Sequence, residues 1–166
     1  MTATYQIADE PRASGLARIV VNPIWPLFSF MFCRPWLAFP WFVLNGWALG
    51  SPSLRKEAAI AGLGLAVGAL VMWLALGAAS GQWAGLPTEG SFDRETFAYL
   101  NALRRGLQLA AAYALMTTQA PAFALWEYYG GKPGPGFVGV IAGAVLDERV
   151  ADAAVDLNSI WVMGLL

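Results

Sequence analysis

Residues 58–79 read AAIAGLGLAVGALVMWLALGAA, and this stretch decides the fold of the chain. It contains no charged residue, and the indole of Trp73 is its one strong hydrogen-bonding side chain. As an α-helix rising about 1.5 Å per residue, it reaches roughly 33 Å, which matches the hydrocarbon core of a bilayer. Because no water at that depth can satisfy backbone groups, such a span has to be helical. The stretch therefore predicts a transmembrane helix.

The composition of the whole chain agrees with this prediction. Of its 166 residues, 58% are hydrophobic and 13% are charged, and this charged share is low for a soluble domain. The chain has no histidine and a single cysteine, so the residues that most often bind metals or act as general bases are missing. The net charge of -1 comes without a basic stripe that could neutralise phosphates. We therefore predict a membrane protein with no cofactor, no metal site and no nucleic-acid partner.

The segment before the central helix is apolar but interrupted by prolines. Residues 1–22 are a polar lead-in, and the proline-rich stretch 23–33 predicts an interfacial or re-entrant segment. Arg34 then separates this segment from a first membrane helix over residues 35–49, which begins at a proline. The turn Gly50-Ser51-Pro52 follows, with Ser53 as a cap for the next helix. Because this turn is short, the two helices that it joins are expected to be antiparallel neighbours.

Small residues recur at helical spacing within the central helix. Ala58, Gly62 and Ala66 form one set, and Gly64 and Gly68 form another. Small side chains allow a second helix to approach closely, so Gly62, Gly64 and Gly68 are candidate contact positions. The contact is either within the chain or between two copies of it.

A third helix is predicted over residues 96–126. At about 100° per residue, Asn101, Gln108 and Gln119 lie within roughly 20° of one angular position, so one face carries a polar stripe. Because unpaired amides are costly in lipid, this face should point inward, with Asn45 on the first helix as a natural partner.

The C-terminal part is predicted to form a short apolar segment and an acidic amphipathic helix. Residues 137–146 are too few for an ordinary span, so we expect a half-span there. Beyond it, Val150, Ala154, Leu157 and Trp161 form an apolar seam, and acidic residues repeat on another side. The predicted fold is an all-α integral membrane protein with about three transmembrane helices. Its parts are the lead-in 1–22, a membrane helical core 23–131 and the C-terminal part 132–166.

The distribution of basic residues predicts an orientation. With three spans, one side holds Arg12, Arg18, Arg34, Arg94, Arg104 and Arg105, and the other holds Arg55, Lys56, Lys132 and Arg149. Since cytoplasmic sides of membrane proteins carry more Lys and Arg, the first side and the N-terminus are predicted to be cytoplasmic.

Two motifs are similar to those of a known class of proteins. One is Pro35-Trp36-Leu37-Ala38, then Asn45, then Leu49-Gly50-Ser51-Pro52, and the other is Gln119, Phe123 and Glu127-Tyr128-Tyr129-Gly130-Gly131. Together they resemble small, functionally uncharacterised bacterial multi-pass inner-membrane proteins. The resemblance covers about a third of the chain and implies a bacterial inner-membrane location without adding any chemistry.

The sequence favours an interaction protein over an enzyme. It lacks a phosphate-binding glycine-rich loop with Lys and Ser or Thr, and it lacks a nucleophile accompanied by histidine. We expect a small subunit or interaction partner in a membrane assembly, surrounded by lipid and bound to a protein partner or to itself. The alternative is an oligomeric transporter or channel subunit with a polar route lined by Arg34, Asn45, Asn101, Gln108 and Gln119.

Overall fold

The computed structural model describes residues 16–79 and 94–156, and all regular structure in these ranges is helical. A 3-10 helix, Ala17–Ile19, precedes five α-helices, whose bounds are α1 Ile24–Phe32, α2 Pro35–Leu49, α3 Leu54–Ala79, α4 Arg94–Tyr128 and α5 Gly136–Asp156. The predicted lead-in up to residue 15, the polar connection between α3 and α4, and the last part of the amphipathic seam lie outside the described residues. The all-α prediction is confirmed for the part of the chain that the structure describes.

Helix α2 begins and ends where its sequence requires. Pro35 occupies its first turn, where a missing backbone N–H costs nothing. At the other end Gly50 has φ 65°, Ser51 N–H donates to Gly46 O, and Gly50 N–H donates to Trp47 O. This pair of bonds is a Schellman motif, which satisfies carbonyls at the helix end and reverses the chain. The predicted helix over residues 35–49 and the turn after it are confirmed.

Helices α2, α3 and α4 form the centre of the bundle, and consecutive helices run antiparallel. Gly46 near the end of α2 faces Glu57 near the start of α3, whereas Phe39, one helical heptad earlier, faces Gly64. The main apolar core lies between these helices and α1, and its buried members are Phe30, Ala38, Phe39, Phe42, Ala61, Ala112 and Leu115. The predicted antiparallel arrangement of the first two long helices is therefore present.

Helix α1 and helix α2 form a hairpin, and this changes where the N-terminal segment lies. Val21 N–H donates to Asn45 Oδ1 in the last turns of α2, whereas Cys33 lies just before the first residue of α2. Gly134 N–H donates to Val20 O, so the loop after α4 also meets the N-terminal segment. This end of the bundle, where α2 and α4 end and α3 begins, holds the buried hydrogen bonds around Glu57, and we call it the network end. The opposite end, which holds Arg34 and Arg104, is the arginine end.

The hairpin corrects the sequence-based grouping of basic residues. A Cβ at Gly134 would lie 3.6 Å from Arg18 O, so Arg18 belongs to the network end with Arg55, Lys56 and Lys132, whereas Arg34 belongs to the other. Arg149 moves to the arginine end, because α5 runs from the network end past Cys33. The prediction separated Arg18 from Lys132 because it treated residues 23–33 as a segment that stays on one side. The basic residues within the described ranges, which leave out Arg12, are shared almost equally between the two ends, and the orientation stays a prediction.

Helix α5 is one continuous helix that packs on the α1–α2 hairpin through its glycines. A Cβ at Gly139 would overlap the ring of Trp41, and a Cβ at Gly143 would overlap Leu37 and lie 3.2 Å from Cys33 Sγ. Cys33 Sγ also donates to Val140 O at 3.4 Å. The apolar part of α5 is therefore attached to the bundle by close helix contacts. The predicted short apolar segment, residues 137–146, is the first half of this helix, and α5 continues from it without interruption to Asp156.

Candidate functional site: a buried polar network

The centre of the candidate site is the carboxyl group of Glu57, which is fully buried. Ser51 Oγ donates to its Oε1 at 2.5 Å, and Ser53 Oγ donates to the same atom at 2.7 Å. Its other oxygen, Oε2, accepts a hydrogen bond from Gln119 Nε2 at 2.7 Å. Burying a carboxyl group without partners would be costly, and these three donors offset that cost.

Gln119 extends the network to the other helices. Its Nε2 also donates to Phe42 O at 2.6 Å, and its Oε1 accepts from Asn45 Nδ2 at 3.2 Å. Asn45 Oδ1 in turn accepts the backbone N–H of Val21 at 2.9 Å. The polar network, defined as Asn45, Ser51, Ser53, Glu57 and Gln119, therefore joins α2, α3, α4 and the segment before α1. Asn45 is the partner that the sequence analysis suggested for the amide stripe.

The local sequence makes room for this network. A Cβ at Gly46 would overlap Glu57 Oε2 and lie 2.8 Å from Gln119 Nε2, so only glycine fits opposite the carboxyl group. Four residues later, the left-handed conformation of Gly50 reverses the chain and brings Ser51 against Glu57. The motif from Asn45 to Pro52 thus supplies the Asn45 amide, the free space at Gly46 and the Ser51 hydroxyl to the same site.

The other predicted site residues lie elsewhere along the bundle. Gln108 is 2% exposed, and its Nε2 donates to Gly64 O on α3 at 3.3 Å. Asn101 is half-buried and accepts hydrogen bonds from Nε and Nη2 of Arg104 at 3.3 Å and 3.0 Å. Arg34 is half-buried at the junction of α1 and α2, and it is one of the positive charges near Arg104. The amide stripe does face inward at Gln108 and Gln119, but its members belong to three separate places.

An apolar layer separates these places. Gln108 and Gln119 are 11 residues apart on α4, about 16 Å along the helix axis, and Ala112 and Leu115 between them are fully buried. Phe39 and Phe42 of α2 are buried in the same core cluster. The described side chains therefore leave an apolar section in the route that the transport alternative requires.

The glycine positions of α3 divide into two groups. Gly64 and Gly68 face the interior, since a Cβ would overlap Phe39 at the first position and the Gln108 amide at the second. Gly62 is exposed, and a Cβ there would meet nothing within 4 Å, so it is not a contact between the described helices. Ala58 and Ala66 are exposed with it. The prediction treated all three glycines alike because spacing defines a face but does not say which face is covered.

The sequence analysis missed Glu57, Ser51 and Ser53 as members of the site. Glu57 follows Arg55 and Lys56, both exposed, and the three together look like the solvated first turn of a helix. Helical spacing contained the missing signal. Glu57 is 7 and 11 residues before Gly64 and Gly68, which places it within about 20° of the glycine face that packs inward.

The chemistry of the network is that of a structural tie. Among the described residues, no group of three or more His, Cys, Asp or Glu side chains could hold a metal ion. The two serine hydroxyls of the network donate to a carboxyl group that also accepts a hydrogen bond from Gln119, so the described donors and acceptors of the network occupy one another. Comparisons of the chain with protein families, curated proteins and solved structures find no match. The function is therefore inferred from the geometry alone.

Proposed function

We propose that the protein is an integral membrane protein without catalytic activity, acting as a small subunit or interaction partner in a membrane assembly. The observation that supports this is the distribution of side chains, with polar groups inside and large apolar groups outside. Glu57, Gln108 and Gln119 are at most 2% exposed. Exposed large hydrophobic side chains occur on every α-helix, including Phe32 on α1, Trp47 on α2, Leu63 on α3, Tyr113 on α4 and Ile141 on α5. Apolar surface on all sides favours a lipid environment.

The dimensions of α3 support the same environment. Its segment Leu54–Ala75 contains an 18-residue stretch with a mean hydropathy of 2.2, and only 22% of that stretch is buried within the protein. The core helix of a soluble domain would be mostly buried. Leu54–Ala75 is the one described helix segment that is long and apolar enough to cross a bilayer by itself. In our proposal α4 crosses beside it, with its buried amides facing α2 and α3, while the shorter α1–α2 hairpin and the apolar half of α5 complete the membrane part.

The hydrogen bonding and the separation of the buried amides favour an interaction role over transport. Gln119 and Asn45 bond to each other, and an apolar layer containing Leu115 separates them from Gln108. The exposed small-residue face with Gly62 gives a partner helix room to approach. The bacterial inner membrane is the location that we propose, on the resemblance of the two motifs alone.

Two experiments test the proposal. The first is carbonate washing of membranes from cells that express the full chain, followed by detergent extraction. We expect the protein to remain in the pellet until detergent is added. A chain that stays monodisperse in buffer without detergent would contradict the proposed location.

The second experiment introduces a photo-crosslinking amino acid at Gly62, with exposed Leu109 on α4 as the matched control position. We expect a discrete crosslinked product from Gly62 and much less from Leu109. A monomeric, partnerless particle in blue-native electrophoresis, combined with no product at either position, would contradict an interaction role.

A further inference from the structure

The network end of the bundle carries a patch of exposed positive charge. We call it the basic patch, and its members, all exposed, are Arg18, Arg55, Lys56 and Lys132. Arg55 and Lys56 lie in the first turn of α3. Lys132 comes two residues before Gly134, whose backbone N–H donates to Val20 O, so the loop after α4 lies beside the segment that contains Arg18. Three separate parts of the chain therefore place positive charge at the same end.

Accessible charge differs between the two ends of the bundle. At the network end Glu57 is fully buried, and Glu127 in the last turn of α4 is the one exposed acid that the described residues place there. At the arginine end Arg149 is exposed, whereas the other described basic side chains are buried or half-buried, namely Arg34, Arg104 and Arg105. Among the described side chains, the positive charge that a large anion can reach is therefore concentrated in the basic patch.

The basic patch lies beside groups that are typical of a membrane interface. Lys56 is two residues before Ala58, the first residue of the charge-free run 58–79, so it lies about 3 Å from the start of that run along the helix axis. At the end of α4, Tyr128 and Tyr129 are exposed at 83% and 62%, and their ring centroids are 5.7 Å apart. Tyrosines are enriched at the depth of the lipid headgroups. In the proposed membrane location, the basic patch therefore lies at headgroup depth.

We propose that the basic patch binds the headgroups of anionic phospholipids. The inference rests on the proposed membrane location, because a chain in the bilayer holds this patch against the headgroups. Guanidinium and ammonium groups donate charge-assisted hydrogen bonds to phosphate oxygens. A headgroup with a net negative charge is attracted by the whole patch, whereas a zwitterionic headgroup also brings a cation that the patch repels. An acidic protein offers the same charge, but the exposed tyrosines and the adjacent apolar run favour lipid.

The test uses the purified full chain in micelles of a neutral detergent and native mass spectrometry. Phosphatidylglycerol and phosphatidylcholine with the same acyl chains are added at equal concentrations, and the mass of the headgroup identifies each bound lipid. We expect phosphatidylglycerol to be favoured at least about fivefold, the factor for one basic side chain near an anionic surface. Raising the salt concentration should reduce this preference, because exposed charges are screened.

Two double variants locate the binding. Arg55→Gln with Lys56→Gln removes two charges from the basic patch and should bring the two lipids to within about twofold of parity, since each lost charge weakens the attraction. Arg105→Gln with Arg149→Gln removes two charges from the arginine end and is the matched control. It should leave the preference of the unmodified chain unchanged within about twofold, because these residues lie outside the patch.

Equal binding of the two lipids by the unmodified chain overturns the proposal, as does an equal loss of preference in the two double variants. Excess glycerol 3-phosphate, which carries the charge without acyl chains, should leave the bound lipid in place. Displacement by it would assign the patch to a soluble anion, and displacement by polyglutamate would assign it to an acidic protein; either result overturns the proposal.

Two measurements keep the test decisive. If the double variant of Arg55 and Lys56 fails to fold, the single change Lys132→Gln on the loop after α4 should still lower the preference, and no change would overturn the proposal. Membrane fractionation separates this inference from the location on which it rests. A chain that stays in carbonate-washed membranes but binds both lipids equally contradicts the inference alone, whereas release by carbonate contradicts the location.

Discussion

Replacing Gln119 by leucine is the most direct test of the polar network. The change keeps a side chain of similar size and removes three hydrogen bonds, with Glu57 Oε2, Phe42 O and Asn45 Nδ2. The buried carboxyl group of Glu57 then retains only its two serine donors. The same substitution at Gln108 removes one bond of 3.3 Å and also removes an acceptor that has no partner.

The magnitudes of the two substitutions should differ clearly. Hydrogen bonds between helices in lipid contribute about 0.6 kcal/mol each on average, so losing three costs about 2 kcal/mol. Leaving buried polar atoms with fewer partners adds about 1–3 kcal/mol. We therefore expect Gln119→Leu to lower the free energy of unfolding by about 3–5 kcal/mol, the sum of these two estimates. For Gln108→Leu we expect a change within about 0.5 kcal/mol of zero, because the lost bond is offset by removal of the unpaired acceptor.

The measurement is equilibrium unfolding in mixed micelles titrated with dodecyl sulfate, followed by tryptophan fluorescence. Thr117→Val is the control on the same helix, because the exposed Thr117 hydroxyl donates to Ala114 O within α4. It should change the free energy of unfolding by less than about 0.5 kcal/mol. Equal costs for the two glutamine variants, or a larger cost for Gln108→Leu, would refute the assignment of Gln119 as the central tie.

Four further substitutions test the fold. Gly46→Ala should destabilise by about 1–3 kcal/mol in the same titration, because its Cβ overlaps buried polar groups, whereas exposed Gly62→Ala should stabilise by about 0.5–1 kcal/mol through helix propensity. Equal effects would contradict the packing. Gly50→Ala places a side chain at φ 65° and should cost about 1 kcal/mol, and a neutral result would argue against this turn. Gly143→Leu should displace α5 and raise the rate of maleimide labelling of buried Cys33. The expected increase is at least about tenfold, the factor for loss of about 1.4 kcal/mol of docking free energy. An unchanged rate would place α5 elsewhere.

Much of the helical framework could be predicted from local sequence. The charge-free run from Ala58 predicts α3, and Pro35 and Gly50 predict the two ends of α2. Each of these features depends on backbone chemistry within a few residues. The amide stripe also faces inward at Gln108 and Gln119, since periodicity alone defines a helix face. Periodicity does not show the position of each amide along the bundle axis relative to the other helices. This position is what separates Gln108 from the network.

The course of α1 could not be predicted in the same way. Its nine residues are too few for a periodic pattern to show direction, and its prolines are compatible with a segment lying along an interface. The hairpin is set by distant contacts instead, between Val21 and Asn45 and between Val20 and Gly134. Glu57 was missed because the exposed neighbours Arg55 and Lys56 suggested a solvated turn, and because one of its three donors, Gln119, is 62 residues away.

This separation has a consequence during synthesis. Gln119 lies 62 positions after Glu57 in the chain. At ordinary elongation rates the ribosome therefore adds Gln119 about 3–12 s after Glu57. During that interval Ser51 and Ser53, only six and four residues from the acid, are already made and can bond to it. The two serines can therefore stabilise the Glu57 carboxyl group while α4 has not yet been made. Once Gln119 has been added, its hydrogen bond with Glu57 joins α4 to α3.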